Sequence, residues 1–113
     1  LSFPERLAGC SMIGGWLSHP TAEKLKSGEW IHNNNVSTPV WWAHGMRDRS
    51  IPASLLTEHA DILDGLRTCA VERRLYACGH WPIDACLRDM FGWFDIVLSC
   101  DQQLEKSHAI QKH

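Results

Sequence analysis

Apolar and polar residues fall into blocks along the chain that predict three buried strands. Leu7–Ile13 is a short apolar run ending at two glycines, which is typical of a strand buried on both faces. Thr38–Ala43 predicts a second strand, and Thr68–Cys78 a third whose central arginines favour a sheet edge. The polar stretch Ser18–Ser37 predicts a long loop that includes about one helical turn. We expect this loop to wall a site, with Trp30 folded back onto apolar surface.

Two further segments carry apolar residues at helical spacing. The first follows Pro52, a residue suited to a first helical turn, and its apolar positions are Leu55, Leu56, Ile62, Leu63 and Leu66. The second begins just after Pro82, and its apolar positions are Ile83, Cys86, Leu87, Met90, Phe94, Val97 and Leu98. The last residues, 101–113, form a polar tail.

The order of these elements is strand, loop, strand, helix, strand, helix, which predicts right-handed crossovers in an open parallel α/β sheet. Trp41 and Trp42 are consecutive in the second strand, so they point to opposite faces and both faces need cover. Three strands are few for such a sheet. We therefore expect that strands preceding Leu1 are missing, or that another chain pairs with the exposed edge.

Composition narrows the classes of protein that remain. The 113 residues fit one domain, and 44% hydrophobic residues are enough for a packed core. A formal charge of -2, spread along the chain, gives no basic stripe and makes nucleic acid an unsuitable partner. No apolar run approaches the roughly 20 residues of a membrane span, and no signal segment opens the chain. We expect a cytoplasmic protein, and because Leu1 is not methionine, a piece of a longer one.

The cysteine and histidine spacing gives no metal motif. The five cysteines include no C-x-x-C pair, and the seven histidines no H-E-x-x-H pair, which leaves Cys78 and His80 as an isolated two-residue hint. We expect reduced cysteines, no metal and no cofactor.

Polar side chains follow the second and third strands, at the sheet edge where ligands bind in open α/β folds. Asp48 comes shortly after the second strand and His80 directly after the third. A carboxylate and an imidazole from neighbouring strand ends can hydrogen-bond, as the acid and base of a nucleophilic site do. Structural alternatives stay open, because Asp48 also suits a turn or helix cap and His80 also suits packing beside Trp81.

Three segments together resemble one family. Thr38–Pro52 resembles the H-G-x-x-D-x-x-V-P element of the phospholipase/carboxylesterase group of α/β-hydrolases, which includes the acyl-protein thioesterases. Leu75–His80 and the helix after it resemble that group's closing strand, catalytic histidine and last helix. Leu7–Leu17 resembles its L-A-G-x-x-x-L-S-G-W-L strand, whose far end contributes to the acyl channel. The resemblance implies the C-terminal part of an α/β-hydrolase fold, with about three parallel strands and flanking helices.

By this resemblance Asp48 is the triad acid and His80 the general base. Met12, Trp16, Leu17 and Trp81 are the residues that we expect near the acyl group of the substrate, although each is equally explained as core or loop packing. The chain departs from the family pattern at Arg49, where proline is common, and at Trp81, where a smaller residue is common. These departures bear on substrate preference.

The sequence offers no convincing nucleophile. Ser11 precedes Asp48 and His80 in the chain, but it lies within an apolar strand, and Ile13 stands where a G-x-S-x-G elbow needs glycine. The resemblance implies that the serine and the oxyanion-hole donors lie before Leu1, so we expect the isolated chain to be inactive on esters.

Two functions from different classes follow. The first is a serine hydrolase of acyl-esters or acyl-thioesters, in which this chain supplies the acid and the base. The second is a non-catalytic interaction module derived from a hydrolase fold. A nucleotide-binding domain is weakly supported, since no G-x-G-x-x-G follows any strand.

Overall fold

The computed structural model describes residue 1 and residues 4–27, 31–66 and 71–111, apart from the side chains of residues 33 and 101–111. Trp30 and the beginning of the predicted third strand lie outside these residues. The elements are β1 (Cys10–Ile13), α1 (His19–Lys26), a 3-10 turn (Asn33–Asn35), β2 (Val40–Gly45), α2 (Ser54–Asp64), β3 (Val71–Tyr76) and α3 (Asp84–Gln111).

The described strands form one parallel sheet in the order β1-β2-β3. Cys10 pairs in register with Val40, and Val40 with Val71, so the three strands begin level with one another. Their carboxyl ends consequently meet at one rim. The expected α/β architecture of three parallel strands with flanking helices is confirmed, and β3 lies at an edge as its two arginines predicted.

Helices cover both faces of the central strand, as the paired tryptophans require. Trp42 is fully buried on one face, in a cluster with the helix residues Leu25, Leu56, Ala60 and Leu63. Trp41 is buried on the other face, in a cluster with Ala43 and Cys86 of α3. Truncating a buried tryptophan to alanine costs about 3–5 kcal/mol. The neighbouring tryptophans therefore attach two helical layers to β2.

The segment predicted as a loop contains the eight-residue helix α1, so that prediction was wrong. Ser18 caps the helix by accepting a hydrogen bond from the Thr21 N–H, and Pro20 occupies the first turn. Ala22 and Leu25 are buried, and Leu25 belongs to the cluster around Trp42. With only these two buried positions, the helix has too short an apolar stripe to be recognised by periodicity.

The consecutive asparagines hold the chain that leads into β1. Asn35 is fully buried; its side-chain oxygen accepts from the Leu7 N–H at 2.9 Å and from the Thr38 hydroxyl at 2.7 Å. Its amide nitrogen donates to the Glu5 carbonyl at 3.0 Å. Asn34 adds an exposed bond to the Pro4 carbonyl. Asn34 and Asn35 together thus clamp residues 4–7.

Side chains make hydrogen bonds to backbone groups on the outward-facing edge of β3. The Val71 N–H donates to Asp64 Oδ1 at 2.7 Å, and the Arg73 carbonyl accepts from the Arg74 guanidinium at 2.9 Å. The Arg73 guanidinium pairs with Asp61 and Asp64, which ties the strand to α2. Because these backbone groups already have partners, the contacts disfavour pairing of this edge with another strand.

The closing helix α3 is 28 residues long, and its backbone continues through 101–111, the stretch interpreted as a polar tail. Cys86 is its fully buried contact with the sheet, while Phe91, Ile96 and Leu98 are exposed. Within the described part of the chain, no helix has the length and apolar character needed to cross a membrane.

Candidate active site

Asp48 and His80 meet at the rim where β2 and β3 end. The His80 Nδ1 atom lies 2.9 Å from Asp48 Oδ2, which is the contact expected from the sequence. The Asp48 side chain is fully buried, and its other oxygen accepts from the backbone N–H groups of Ser50 at 2.8 Å and Ile51 at 2.9 Å. Asp48 therefore also braces its own turn, so the structural alternative and the acid–imidazole contact hold at the same time.

These hydrogen bonds keep Asp48 ionised. The Ile51 N–H is the largest cause; burial opposes it, but the bonds from His80 and the Ser50 N–H add to it and lower the pKa of Asp48 to about 2. A carboxylate is an acceptor only, so the His80 nitrogen that faces it carries the proton. The His80 ring is thus held as the tautomer with hydrogen on Nδ1.

The backbone ties the two strand-end loops to each other. The Met46 N–H donates to the Tyr76 carbonyl at 2.8 Å, and the Arg47 N–H donates to the Cys78 carbonyl at 3.0 Å. Gly45 lies directly against the carbonyl groups of Cys78 and Gly79, with no space for a β-carbon. This close approach brings the loop that carries His80 over the turn that carries Asp48.

Gly14 completes the support of the imidazole from the end of β1. It has a φ of +64°, which glycine adopts without strain, and a β-carbon there would lie 3.4–3.5 Å from the His80 backbone and ring. The Gly14 N–H donates to the Ala43 carbonyl, which fixes its position on the sheet. In the sequence Gly14 marks only the end of a strand, and the signal for its position beside His80 is the pair of glycines directly after that strand.

His44 lies beneath the turn, at the end of β2, and is almost fully buried. Its Nε2 atom is 2.7 Å from the Ile51 carbonyl oxygen, so this nitrogen carries the hydrogen and donates it. The same atom lies 3.4 Å from Asp48 Oδ2. His44 Nδ1 is buried without a hydrogen-bond partner among the described residues. The His44 ring thus supports the turn that aims Asp48 at His80.

The other face of His80 is open. Its side chain is 39% exposed, and none of the described residues makes a hydrogen bond to Nε2. The Trp81 ring meets the His80 ring edge to face, with centroids 5.5 Å apart. The imidazole therefore has a free acceptor nitrogen next to an aromatic wall.

The four residues expected near an acyl group lie in two environments. Met12 and Leu17 are partly buried and pack against the core cluster that contains Trp42. Trp16 and Trp81 are 58% and 80% exposed, Trp16 following the Gly14 turn and Trp81 following His80. The structure thus brings Trp81 to the imidazole, whereas Met12 and Leu17 make core contacts.

Ser11 points away from this pair. Its hydroxyl donates to the Met90 sulfur of α3 at 3.4 Å, on the face of the sheet that α3 covers. The described residues include no group of three side chains suited to holding a metal ion. The candidate site therefore consists of an acid and a base, and no serine hydroxyl among the described residues makes a hydrogen bond to His80.

A parallel sheet with helices on both faces, carrying a hydrogen-bonded acid and histidine at adjacent strand ends, is the arrangement of the α/β-hydrolase fold. No protein-family model matches the sequence, and no curated protein matches it either. Solved structures do share the fold.

SOBER1 from Arabidopsis thaliana superposes with a TM-score of 0.75 at 22% identity, over 87% of this chain and 45% of that one. Esterase PE8 gives 0.72 at 20% identity, over 86% and 42% of the two chains. Acyl-protein thioesterase 2 from Zea mays gives 0.72 at 20% identity, over 84% and 42%. These likenesses establish the α/β-hydrolase fold, and the chain spans less than half the length of each structure.

Proposed function

We propose that this chain supplies the acid and the base of a serine hydrolase that acts on carboxylic esters or acyl-thioesters. The observation that carries the proposal is the 2.9 Å contact between buried Asp48 and His80, which leaves Nε2 of the imidazole without a partner among the described residues. An imidazole held in this way accepts a proton at Nε2 while the carboxylate stabilises the resulting positive charge.

In the proposed reaction, a serine hydroxyl attacks the acyl carbon as its proton passes to His80 Nε2. The C–O or C–S bond to the leaving group then breaks, and Nε2 returns the proton to the departing alcohol or thiol. Water next attacks the acyl-serine, giving one proton to Nε2, which passes it to the serine oxygen as the acid is released. Asp48 stays ionised throughout, in keeping with its lowered pKa.

The nucleophile in this proposal comes from a segment outside the 113 residues. The sequence holds no G-x-S-x-G motif, and the Ser11 hydroxyl is engaged with Met90. The chain also matches less than half of structures that carry the fold.

The free edge of β1 is the proposed contact for that segment. Cys10 and Gly14 direct their N–H groups to β2, so the backbone of Ser11 and Ile13 faces the opposite side. Among the described strands none pairs with that side. A strand added there would extend the sheet next to the Gly14 turn, which lies beside His80.

Met12, Trp16, Leu17 and Trp81 remain the residues proposed to lie along the acyl group. Trp16 and Trp81 support this role best, because they are exposed apolar rings that follow the Gly14 turn and His80. Met12 and Leu17 would contribute from the core beneath them.

A non-catalytic interaction module is the second candidate. The edge of β1, which no described strand pairs with, and the lack of a serine elbow in this sequence favour it. Hydrolysis separates the two candidates, since only the first requires turnover that depends on Asp48 and His80.

The test uses protein expressed from the gene's complete reading frame, assayed on short-chain p-nitrophenyl esters and on an acyl-thioester. We expect Asp48→Asn to lower kcat by about 10⁴-fold and His80→Ala by about 10⁴–10⁶-fold, with residual turnover above that of water. His19→Ala and Asp95→Asn, which change exposed residues of the same types, serve as controls with unchanged rates. Wild-type turnover in both site variants would rule out the assignment, and no turnover by the complete protein would favour the interaction module.

The isolated 113-residue chain gives a second prediction. It should neither hydrolyse esters nor react with a fluorophosphonate probe. Labelling of a serine within these residues, Ser11 above all, would contradict the proposed origin of the nucleophile.

A further inference from the structure

His59 of α2 makes a hydrogen bond that the proposed reaction does not use. The residue is 6% exposed, and its Nδ1 atom accepts a hydrogen bond from the backbone N–H of Leu17 at 3.0 Å. The Trp42 ring of β2 lies 6.5 Å away, centroid to centroid, at a tilted angle. A buried histidine on one helix thus holds the connection between β1 and α1.

The bond requires one state of the imidazole. Because Nδ1 accepts, it carries no hydrogen, and the neutral ring has its hydrogen on Nε2. Protonation would put a hydrogen on Nδ1 directly opposite the Leu17 N–H. Two donors cannot share a hydrogen bond, so protonated His59 and the Leu17 contact exclude each other.

The connection held by His59 borders the candidate site. It begins at Gly14, which lies beside His80, and ends at Ser18, which caps α1. Trp16 lies between these two points and is exposed. Among the described hydrogen bonds, the one to His59 is the bond that joins the middle of this connection to α2.

We propose that His59 is a positioning residue for the Trp16–Leu17 segment, which it anchors when neutral and releases when protonated. The relevance of this segment to an acyl group rests on the proposed function, whereas the anchor rests on the Leu17 bond alone. When His59 is neutral, the segment is held beside the sheet edge that carries His80. In the protonated state Trp16 and Leu17 lose their attachment to α2.

The surroundings of His59 offer no described partner for a positive charge. Its neighbours one helical turn away are apolar, namely Leu55, Leu56, Ile62 and Leu63. On α2 the nearest acids in sequence are Glu58 and Asp61, and Asp61 is paired with Arg73 of β3. On α1 the titratable groups are His19, Lys24 and the Glu23–Lys26 pair, and in the described residues none of them bonds to His59.

The test follows the Leu17 amide and the Trp16 side chain in this chain by NMR between about pH 5 and pH 8, the range in which histidines titrate. Trp16 is observed by ¹⁹F in protein labelled with 5-fluorotryptophan, and its signal is assigned with Trp16→Phe. In the wild type, both signals should shift along the same curve as the His59 ring. Below the midpoint, Leu17 amide exchange should be about five- to tenfold faster than in His59→Asn at the same pH.

His59→Asn is the informative variant, because the asparagine side-chain oxygen takes the place of Nδ1 as an acceptor but does not titrate. We expect it to keep the Leu17 and Trp16 signals constant over the whole range, while His59→Leu releases the segment at every pH. His19→Asn removes an exposed histidine and should behave as the wild type. If His59→Leu does not fold, the wild type and His59→Asn still decide the question.

Leu17 and Trp16 signals that stay constant while His59 titrates would overturn the proposal. So would a His59 ring that remains neutral down to pH 5, or a pH response that persists in His59→Asn. None of these measurements needs turnover. An anchor that works in a protein without esterase activity would refute the proposed function alone, and turnover without the pH response would refute the anchor alone.

Discussion

The Cα of Gly45 lies so close to the carbonyl oxygen of Gly79 that no side-chain atom fits between them. Gly45 is the last residue of β2, and Gly79 directly precedes His80. The contact sets the distance between the two loops that carry Asp48 and His80. A backbone contact without any chemistry of its own thereby determines the geometry of the candidate site.

Gly45→Ala should destabilise the protein by about 1–3 kcal/mol, since the new methyl group meets rigid backbone. It should also lengthen the Asp48–His80 contact and so move the His80 ring signals in an NMR spectrum. Gly79→Ala is the matched control, because a β-carbon at Gly79 meets nothing within 4 Å. Equal urea midpoints and unchanged His80 signals for the two variants would show that the close approach does not support the site.

The Asp48 carboxyl should titrate near pH 2 when followed by ¹³C NMR. His80→Ala should raise this pKa only part of the way to its ordinary value of 3.8, because the Ile51 and Ser50 N–H groups remain and Ile51 is the largest cause. A midpoint in His80→Ala equal to that of the wild type would mean that the imidazole does not bind Asp48 in solution.

The same lowered pKa predicts how stability depends on acid. Because folding lowers the pKa of Asp48, the carboxylate stabilises the folded state above its ordinary pKa, and this contribution is lost as the pH falls from about 4 towards 2. Urea unfolding across this window should lose stability less steeply in Asp48→Asn than in the wild type. Identical slopes in the two proteins would contradict the prediction.

Part of this site could be predicted from the sequence, because the order of strands and the positions of loops follow from local sequence patterns. An aspartate after one strand and a histidine after the next must approach each other at the rim of a parallel sheet. Trp41 and Trp42 likewise indicated that both faces of the sheet are covered by other elements, because consecutive strand residues point to opposite faces.

Other features were not readable, because they depend on contacts between distant segments. Gly45 is one of eight glycines, and only the approach of Gly79 makes it special. The Asn35 clamp and the His59 bond join residues 28 and 42 positions apart. The helix α1 was missed for a different reason, since its cap at Ser18 and its proline are weak signals beside a short apolar stripe.

Asn35→Ala should destabilise the fold by about 1–3 kcal/mol, because it leaves the buried Thr38 hydroxyl and the partly buried Leu7 N–H without their acceptor. Amide exchange at Leu7 should accelerate with it. Asn34→Ala removes a single exposed bond to the Pro4 carbonyl and should cost no more than about 0.5 kcal/mol. If the two variants lose the same free energy of unfolding, the buried bonds of Asn35 stabilise the fold no more than the exposed bond of Asn34 does.

Asp64→Ala should promote self-association, since it frees the outward Val71 N–H on the edge of β3 and removes one partner of Arg73. Sedimentation velocity over a concentration series should show larger species for this variant than for the wild type. Asp95→Asn on α3 controls for the lost negative charge. If both variants sediment alike, the edge is protected by something other than its side-chain contacts.

The ¹⁵N spectrum of the His80 ring tests most directly whether Asp48 holds a base ready at the rim of the sheet. When the His80 ring is neutral, Nδ1 should carry the hydrogen and Nε2 should carry none. Asp48→Asn should abolish this preference for one tautomer. A neutral His80 with its hydrogen on Nε2, or the same tautomer in Asp48→Asn, would contradict the assignment of this pair as acid and base.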